Sequence, residues 1–279
     1  MKNFFLIFSI ISVLLSSACS SIVKKPEIEQ VKTAAIVSIF ANSRIPEAQG
    51  SEILQGWSSE LKQEVANNFL NEYETGFTNK LGWKMLPVSS LLTSKEYKDL
   101  FRPETKSKNE SFKKLGSLIN KMSDMSDSAN YFAPADMYPL DISHGRLKIR
   151  SGLVSKQQKI GPLLSNMAKT LSADAVIVVH IDFCYEPTTL SIQGLKKSRI
   201  SAASSIHAVD KHGNTIINMG ELKSCGKQKN RAASNTSLGL SSGILAGALQ
   251  DQSELLKAFT EALKENTSLT MQQVKSAMK

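Results

Sequence analysis

The run Ala175-Val-Ile-Val-Val-His-Ile-Asp-Phe183 constrains the fold more than any other part of the chain. Its β-branched residues favour a strand, and it opens with consecutive rather than alternating apolar positions. A strand of that kind is covered on both faces, which puts it at the centre of a sheet with helices above and below. Thr33-Ala-Ala-Ile-Val-Ser-Ile-Phe40 reads as a second buried strand. A helical pattern follows over residues 52–81, with Leu61, Val65, Phe69 and Tyr73 on one side. Gly82 sits where a C′ glycine ends a helix, and Trp83-Lys-Met-Leu-Pro87 reads as a short strand. Strand, long helix and strand make a βαβ unit with parallel strands.

Residues 89–100 read as a further helix. Residues 102–152 form a polar, weakly patterned insertion with a helix expected over 109–122. Its aromatics, Tyr131-Phe132 and Tyr138-Pro139, suit either a partner anchor or a lid folded back on the core. Helical pattern returns over 156–171 through Ile160, Leu163, Leu164, Met167 and Leu171, interrupted near its start by Gly161-Pro162. Strands at 198–209 and 215–222 flank Asp210-Lys-His-Gly-Asn214, a turn composition that predicts a hairpin. A final helix starts at a capping-box pair, Asp251 and Glu254, and lines Leu255, Phe259 and Leu263 on one face. The expected fold is α/β (or α+β). One mixed sheet has a βαβ start, a C-terminal hairpin and helices packed on it, in a single domain over 32–279.

The first residues carry an address. Lys2 gives a positive start, and Phe4 through Leu15 are apolar, too short a run to span a bilayer and suited to a secretory signal. Leu15-Ser-Ser-Ala-Cys19 resembles the lipobox of bacterial lipoproteins. The resemblance implies diacylglyceryl transfer to Cys19, cleavage after Ala18 and acylation, such as with palmitate, of the new amino terminus. Ser20 resembles the outer-membrane sorting pattern of Gram-negative lipoproteins. An ordinary secretory signal cut at the same bond and an uncleaved anchor are the alternatives. Residues 19–31, broken by Pro26, read as a lipidated tether.

The formal charge of +9 falls to +8 when Lys2 leaves with the signal. A basic balance suits nucleic acid, but export removes that partner. It leaves phospholipid headgroups and anionic envelope polymers, or plain solubility, as readings of the lysines. Modest basic clusters stand at Lys196-Lys197-Arg199 and from Lys223 to Arg231. With Cys19 lipidated, Cys184 and Cys225 remain in an oxidising compartment. Both follow strands. If those strands are sheet neighbours their ends could meet in disulfide geometry; a Cys184–Cys225 bridge is expected, with two buried thiols as the alternative.

His180, Asp182 and Cys184 alternate along one strand and so share a face. They are zinc-ligand types, yet three ligands from one strand converge poorly on a tetrahedral ion, and no metal or other cofactor is expected. The same pair, His180 and Asp182, is where a periplasmic hydrolase would place its site. Gly-x-Ser-x-Gly, His-Glu-x-x-His and P-loop motifs are absent, which favours a protein that is not an enzyme. Gly239, Gly243 and Gly247 recur every four residues within Leu238-Gly-Leu-Ser-Ser-Gly-Ile-Leu-Ala-Gly-Ala-Leu249. On a helix they would form a smooth contact ridge, for an oligomer or a secretion pore. Packed on the core, they would make a glycine-rich turn before a helix.

Ala34-Ala-Ile-Val-Ser-Ile-Phe40, Met85-Leu-Pro-Val-Ser-Ser90, Ser172-Ala-Asp-Ala-Val-Ile-Val178 and Ala208-Val-Asp-Lys-His-Gly213 together resemble one group of envelope lipoproteins. That group includes the curli-secretion lipoprotein, the penicillin-binding-protein activator lipoproteins and the TolB amino-terminal domain. The resemblance implies a non-catalytic accessory or assembly factor, held to the outer membrane by its lipid and binding envelope proteins in the periplasm.

Overall fold

A computed structural model of the chain describes residues 22–43, 45–46, 53–54, 58–95, 97–98, 131–135, 137–143, 146–151, 154–187, 195–219, 230–236, 238–241 and 252–279. Its main sheet is open and mixed, with the central run expected from the sequence. β1 (Ile22–Val23) and α1 (Lys25–Gln30) precede β2 (Thr33–Asn42), and β3 (Ile45–Pro46) pairs with β4 (Ile53–Leu54). α2 (Ser59–Leu81), β5 (Lys84–Met85) and α3 (Val88–Thr93) follow. After them come β6 (Tyr131–Phe132), β7 (Asp141–Ser143), β8 (Arg146–Ser151), β9 (Val154–Lys159) and α4 (Ile160–Thr170). β10 (Ala175–Pro187), β11 (Leu195–Asp210) and β12 (Thr215–Met219) lead to β13 (Ala232–Ala233), β14 (Leu238–Ser241) and α5 (Gln252–Ala277). The main path runs β1-β12-β11-β10-β2-β5, with β13 and β14 also on β11 and β6 on β2; β7, β8 and β9 form a separate three-stranded sheet.

β10 holds the middle because it is apolar on both faces: Ala175 through Val179 are all buried. It runs parallel to β2 and antiparallel to β11. β2, α2 and β5 form the βαβ unit, since β5 is parallel to β2. The Ser58 hydroxyl caps α2 by accepting from the Leu61 amide at 3.1 Å. Gly82, at φ 73°, closes the helix in the left-handed region, as expected of a C′ glycine. The helix starts later than 52, because Ile53–Leu54 pairs with Ile45–Pro46 instead. α4 likewise starts later than 156. Residues 154–159 alternate as a strand against β8, and Gly161-Pro162 falls in the first turn, where proline costs no hydrogen bond.

α2 and α5 cover one face of the sheet. Phe259 meets Phe183 edge-on at 4.9 Å, and Phe69 lies 6.1 Å from the same ring. The two helices approach closely at Gly76, where a Cβ would stand 2.9 Å from Thr267 Cγ2. Between α5 and the sheet lies a buried polar chain. Tyr73 Oη donates to Asn266 Oδ1 at 3.1 Å, and Asn266 Nδ2 donates to the Asn230 carbonyl at 2.7 Å. Asn230 Nδ2 in turn donates to the Ser204 carbonyl at 2.6 Å. The β11–β12 hairpin turns as expected: Asp210 Oδ1 accepts from the His212 and Asn214 amides at 2.9 and 2.8 Å, and Gly213 takes φ 92°.

Three expectations change. Residues 22–31 are not a free tether. Ile22–Val23 pairs with β12, and α1 buries Ile28 to 1% exposure, because both segments carry apolar residues that the open sheet edge can cover. Within the glycine ridge, Gly239 lies in β14, paired with Lys197 of β11, so no helical stripe can include it. Gly243 and Gly247 lie outside the described residues, as do Asp251 and the helix expected over 109–122. Lastly, β10 and β12 are not neighbours, since β11 separates them.

Candidate functional site

β10 alternates its side chains, and one face carries His180, Asp182, Cys184 and Glu186. The antiparallel register sets Ser201 opposite Cys184 and Arg199 opposite Glu186. On β2 the register against β10 shifts between Ile36 and Ser38, which brings Ser38, Phe40 and Asn42 to the same face as Val178, His180 and Asp182. Arg231 directly precedes the short β13, whose Ala232 pairs with Ala202.

These residues make one continuous polar track. Asn42 Oδ1 lies 3.0 Å from His180 Nε2 and can only accept, so that ring nitrogen carries the proton. Asn42 Nδ2 donates to Asp182 Oδ1 at 3.2 Å. Arg231 Nη2 donates to Asp182 Oδ2 at 2.7 Å, and its Nη1 reaches Ser201 Oγ at 3.3 Å and the Asp182 and Ser201 carbonyls at 3.4 Å. Ser201 Oγ donates to Glu186 Oε1 at 2.7 Å, and Arg199 Nε donates to Glu186 Oε2 at 3.2 Å. Arg231 and Asp182 are nearly enclosed, at 6% and 9% side-chain exposure, whereas Arg199 is 48% exposed. The track is therefore most enclosed at Asp182 and Arg231, with His180 half-buried at one end and Arg199 open to solvent at the other.

The His180 end is walled by aromatics. Phe40 stacks on the His180 ring at 4.2 Å and Tyr131 meets it edge-on at 6.0 Å. Burial pushes the His180 ring down to about 3, so it is neutral near neutral pH. His207 is also pushed down by burial, with its hydrogen bond to Asn218 acting the other way. Just before β10, Asp174 accepts from the Lys32 and Thr33 amides and from Lys211 Nζ, each at 3.0 Å. Burial acts to raise its pKa, but these donors outweigh it and hold the carboxyl down at about 2.

His180, Asp182 and Cys184 do share a face, as the alternation requires. They are not brought onto a common point, because the Asn42 amide stands between His180 and Asp182. Among the described residues no group of three His, Cys, Asp or Glu side chains is placed to hold a metal ion. Cys184 is fully buried; Cys225, Cys19 and Ala18 lie outside the described residues. Tyr131 and Phe132 fold back, one against Phe40 and the other against Phe69 and Phe183. Tyr138 is 47% exposed beside Tyr97.

Sequence reasoning missed Asn42, Ser201, Glu186 and Arg231 as members of one site. Arg231 was visible only as part of a basic cluster. The usable signal was Asp182, a carboxylate in a strand too apolar to leave it without a cation. Among the described residues no helix is long and apolar enough to cross a membrane. Compared with known proteins, the chain matches no protein-family model, no curated protein and no solved structure.

Proposed function

We propose that this chain is an outer-membrane lipoprotein, acylated on Cys19 after cleavage following Ala18, which serves as a non-catalytic accessory or assembly factor. It acts through contacts with other envelope proteins in the periplasm. The observation that carries this reading is the closure of the polar track. Asp182 is neutralised by Arg231 and Asn42, and His180 spends its proton on an amide oxygen with aromatic rings around it. A catalytic nucleophile needs a general base beside it, and the His180 nitrogen that faces the track is held by the Asn42 amide while Asp182 is held by Arg231. The track instead ties β2, β10, β11 and Arg231 together, and its chemistry is that of a brace. The exposed Tyr138 ring offers the amphipathic anchor that protein contacts favour.

The experiment is photo-crosslinking in intact cells from a probe at Tyr138, with a matched probe at Lys80 on α2. A discrete envelope-protein adduct from Tyr138 alone supports the reading, and its absence in both cases counts against it. The competing hydrolase reading draws on the His180–Asn42–Asp182 hydrogen-bond relay. It requires that His180→Ala with Asp182→Ala abolish the cellular phenotype while the variant still folds.

A further inference from the structure

Resting on the lipid-anchor reading, we propose that the β1 edge of the sheet is moored flush against the headgroups of the bilayer that holds Cys19. The argument is one of chain length. Ile22 already pairs with Asn218 of β12, and Lys24 donates its amide to the Ile216 carbonyl at 2.9 Å. Beyond Lys24, α1 buries Ile28 and returns the chain to β2, so no slack lies downstream. Two residues separate Cys19 from Ile22, so three chain steps give a reach of at most about 10 Å. The membrane surface therefore passes within that distance of β1, which is the terminal strand of the sheet.

The long strands then decide the tilt. Ile22 is level with Asn218, His207 and Val178 across the sheet. β10 continues from Val178 to Pro187, which is about 30 Å farther along the strand direction. With strands perpendicular to the bilayer and pointing toward it, that arm would pass roughly 20 Å beyond the anchor, into hydrocarbon. The arm carries the Arg199–Glu186 ion pair, and burying such charges in lipid is strongly unfavourable. The opposite tilt, with the arm pointing away, would bring the Lys25–Asp174 end toward the surface, and the direction of β1 opposes it: β1 is antiparallel to β10, so the chain before Ile22 leaves toward the arm. The pose left is edge-on, with β1 toward the headgroups and the strands lying along the surface. β5, at the other edge, stands about 24 Å away across five strand spacings.

The test uses the full lipidated protein in vesicles of phosphatidylethanolamine and phosphatidylglycerol containing headgroup spin-labelled lipid. A fluorescent amino acid replaces Lys25 in one sample and Lys84, on β5, in another. Quenching several-fold stronger at Lys25 than at Lys84 is expected. A Gly/Ser insert of about 12 residues between Ser21 and Ile22 has a coil span near 20 Å and should erase that contrast while the protein stays vesicle-bound. Equal quenching at both positions in the unaltered protein, or a contrast untouched by the insert, would overturn the mooring and leave the anchor standing. Release of the unaltered protein from the vesicles would overturn the anchor and the mooring together.

Discussion

Arg231 Nη2 lies 2.7 Å from Asp182 Oδ2, and the two side chains keep only 6% and 9% of their surface exposed. The pair joins the short β13 segment to the central strand across β11, over 49 residues of sequence. Removing one partner leaves a buried charge alone, at a cost of about 3–5 kcal/mol, whereas replacing both with apolar residues of similar volume is close to neutral. Arg231→Met should therefore lower the urea midpoint sharply. Arg231→Met combined with Asp182→Leu should recover most of the loss, and denaturation curves of the three variants check this.

Stability should fall in two overlapping acid windows. The folded His180 ring titrates at about 3, and the unfolded ring near 6.5, so the unfolded state takes up its proton first. The stability that the neutral ring contributes is complete above about 6.5 and drains as pH falls toward 3; His207 adds in the same direction. Asp174, held at about 2 against an ordinary 3.8, contributes stability above 3.8 that is lost as pH falls toward 2. His180→Gln should flatten the upper window and Asp174→Asn the lower, as read by urea midpoints across a pH series.

At Gly76 the sign of a substitution is set by a neighbour. Alanine is the better helix former by about 1 kcal/mol, but its Cβ would meet Thr267 Cγ2 at 2.9 Å. Overpacking of this kind costs about 1–3 kcal/mol, so Gly76→Ala should destabilise. Thr267→Ala removes the obstructing methyl, and in that background Gly76→Ala should become neutral or stabilising. A double-mutant cycle measures the coupling.

The Cys184–Cys225 bridge is a proposal that rests on chain reach. Asn230, held to the Ser204 carbonyl at 2.6 Å, is five residues from Cys225, and Cys184 lies on β10 opposite Ser201. Closing the loop between the two cysteines is worth about 4 kcal/mol in the chain-entropy model. Both cysteines should alkylate only after reduction, and reduction should lower the melting temperature. Alkylation of the unreduced, unfolded chain would show two thiols instead.

What the sequence made legible follows from periodicity. Residues 175–183 and 33–40 announced the central parallel pair because their apolar residues are consecutive, and Gly82 marked a helix end because only a left-handed residue fits there. Sharing of a face by His180, Asp182 and Cys184 was legible for the same reason. What joins them was not. Asn42 depends on a register shift between β2 and β10, and Arg231 on a two-residue strand that pairs where β12 has ended. Neither leaves a period in the sequence. The docking of Ile22 and Val23 was hidden likewise, since two apolar residues between serines and lysines read as linker until an open sheet edge is there to receive them.

Membrane attachment through Cys19 is the claim on which the rest of the functional account depends, and one measurement tests it most directly. Cells expressing the unaltered protein or Cys19→Ala are labelled with a palmitate analogue and separated into membrane and soluble fractions. The account predicts that the unaltered protein takes up label and sediments with the membrane, while Cys19→Ala takes up none and appears in the soluble fraction. A Cys19→Ala protein that remains with the membrane, or an unaltered protein that takes up no label, would contradict it.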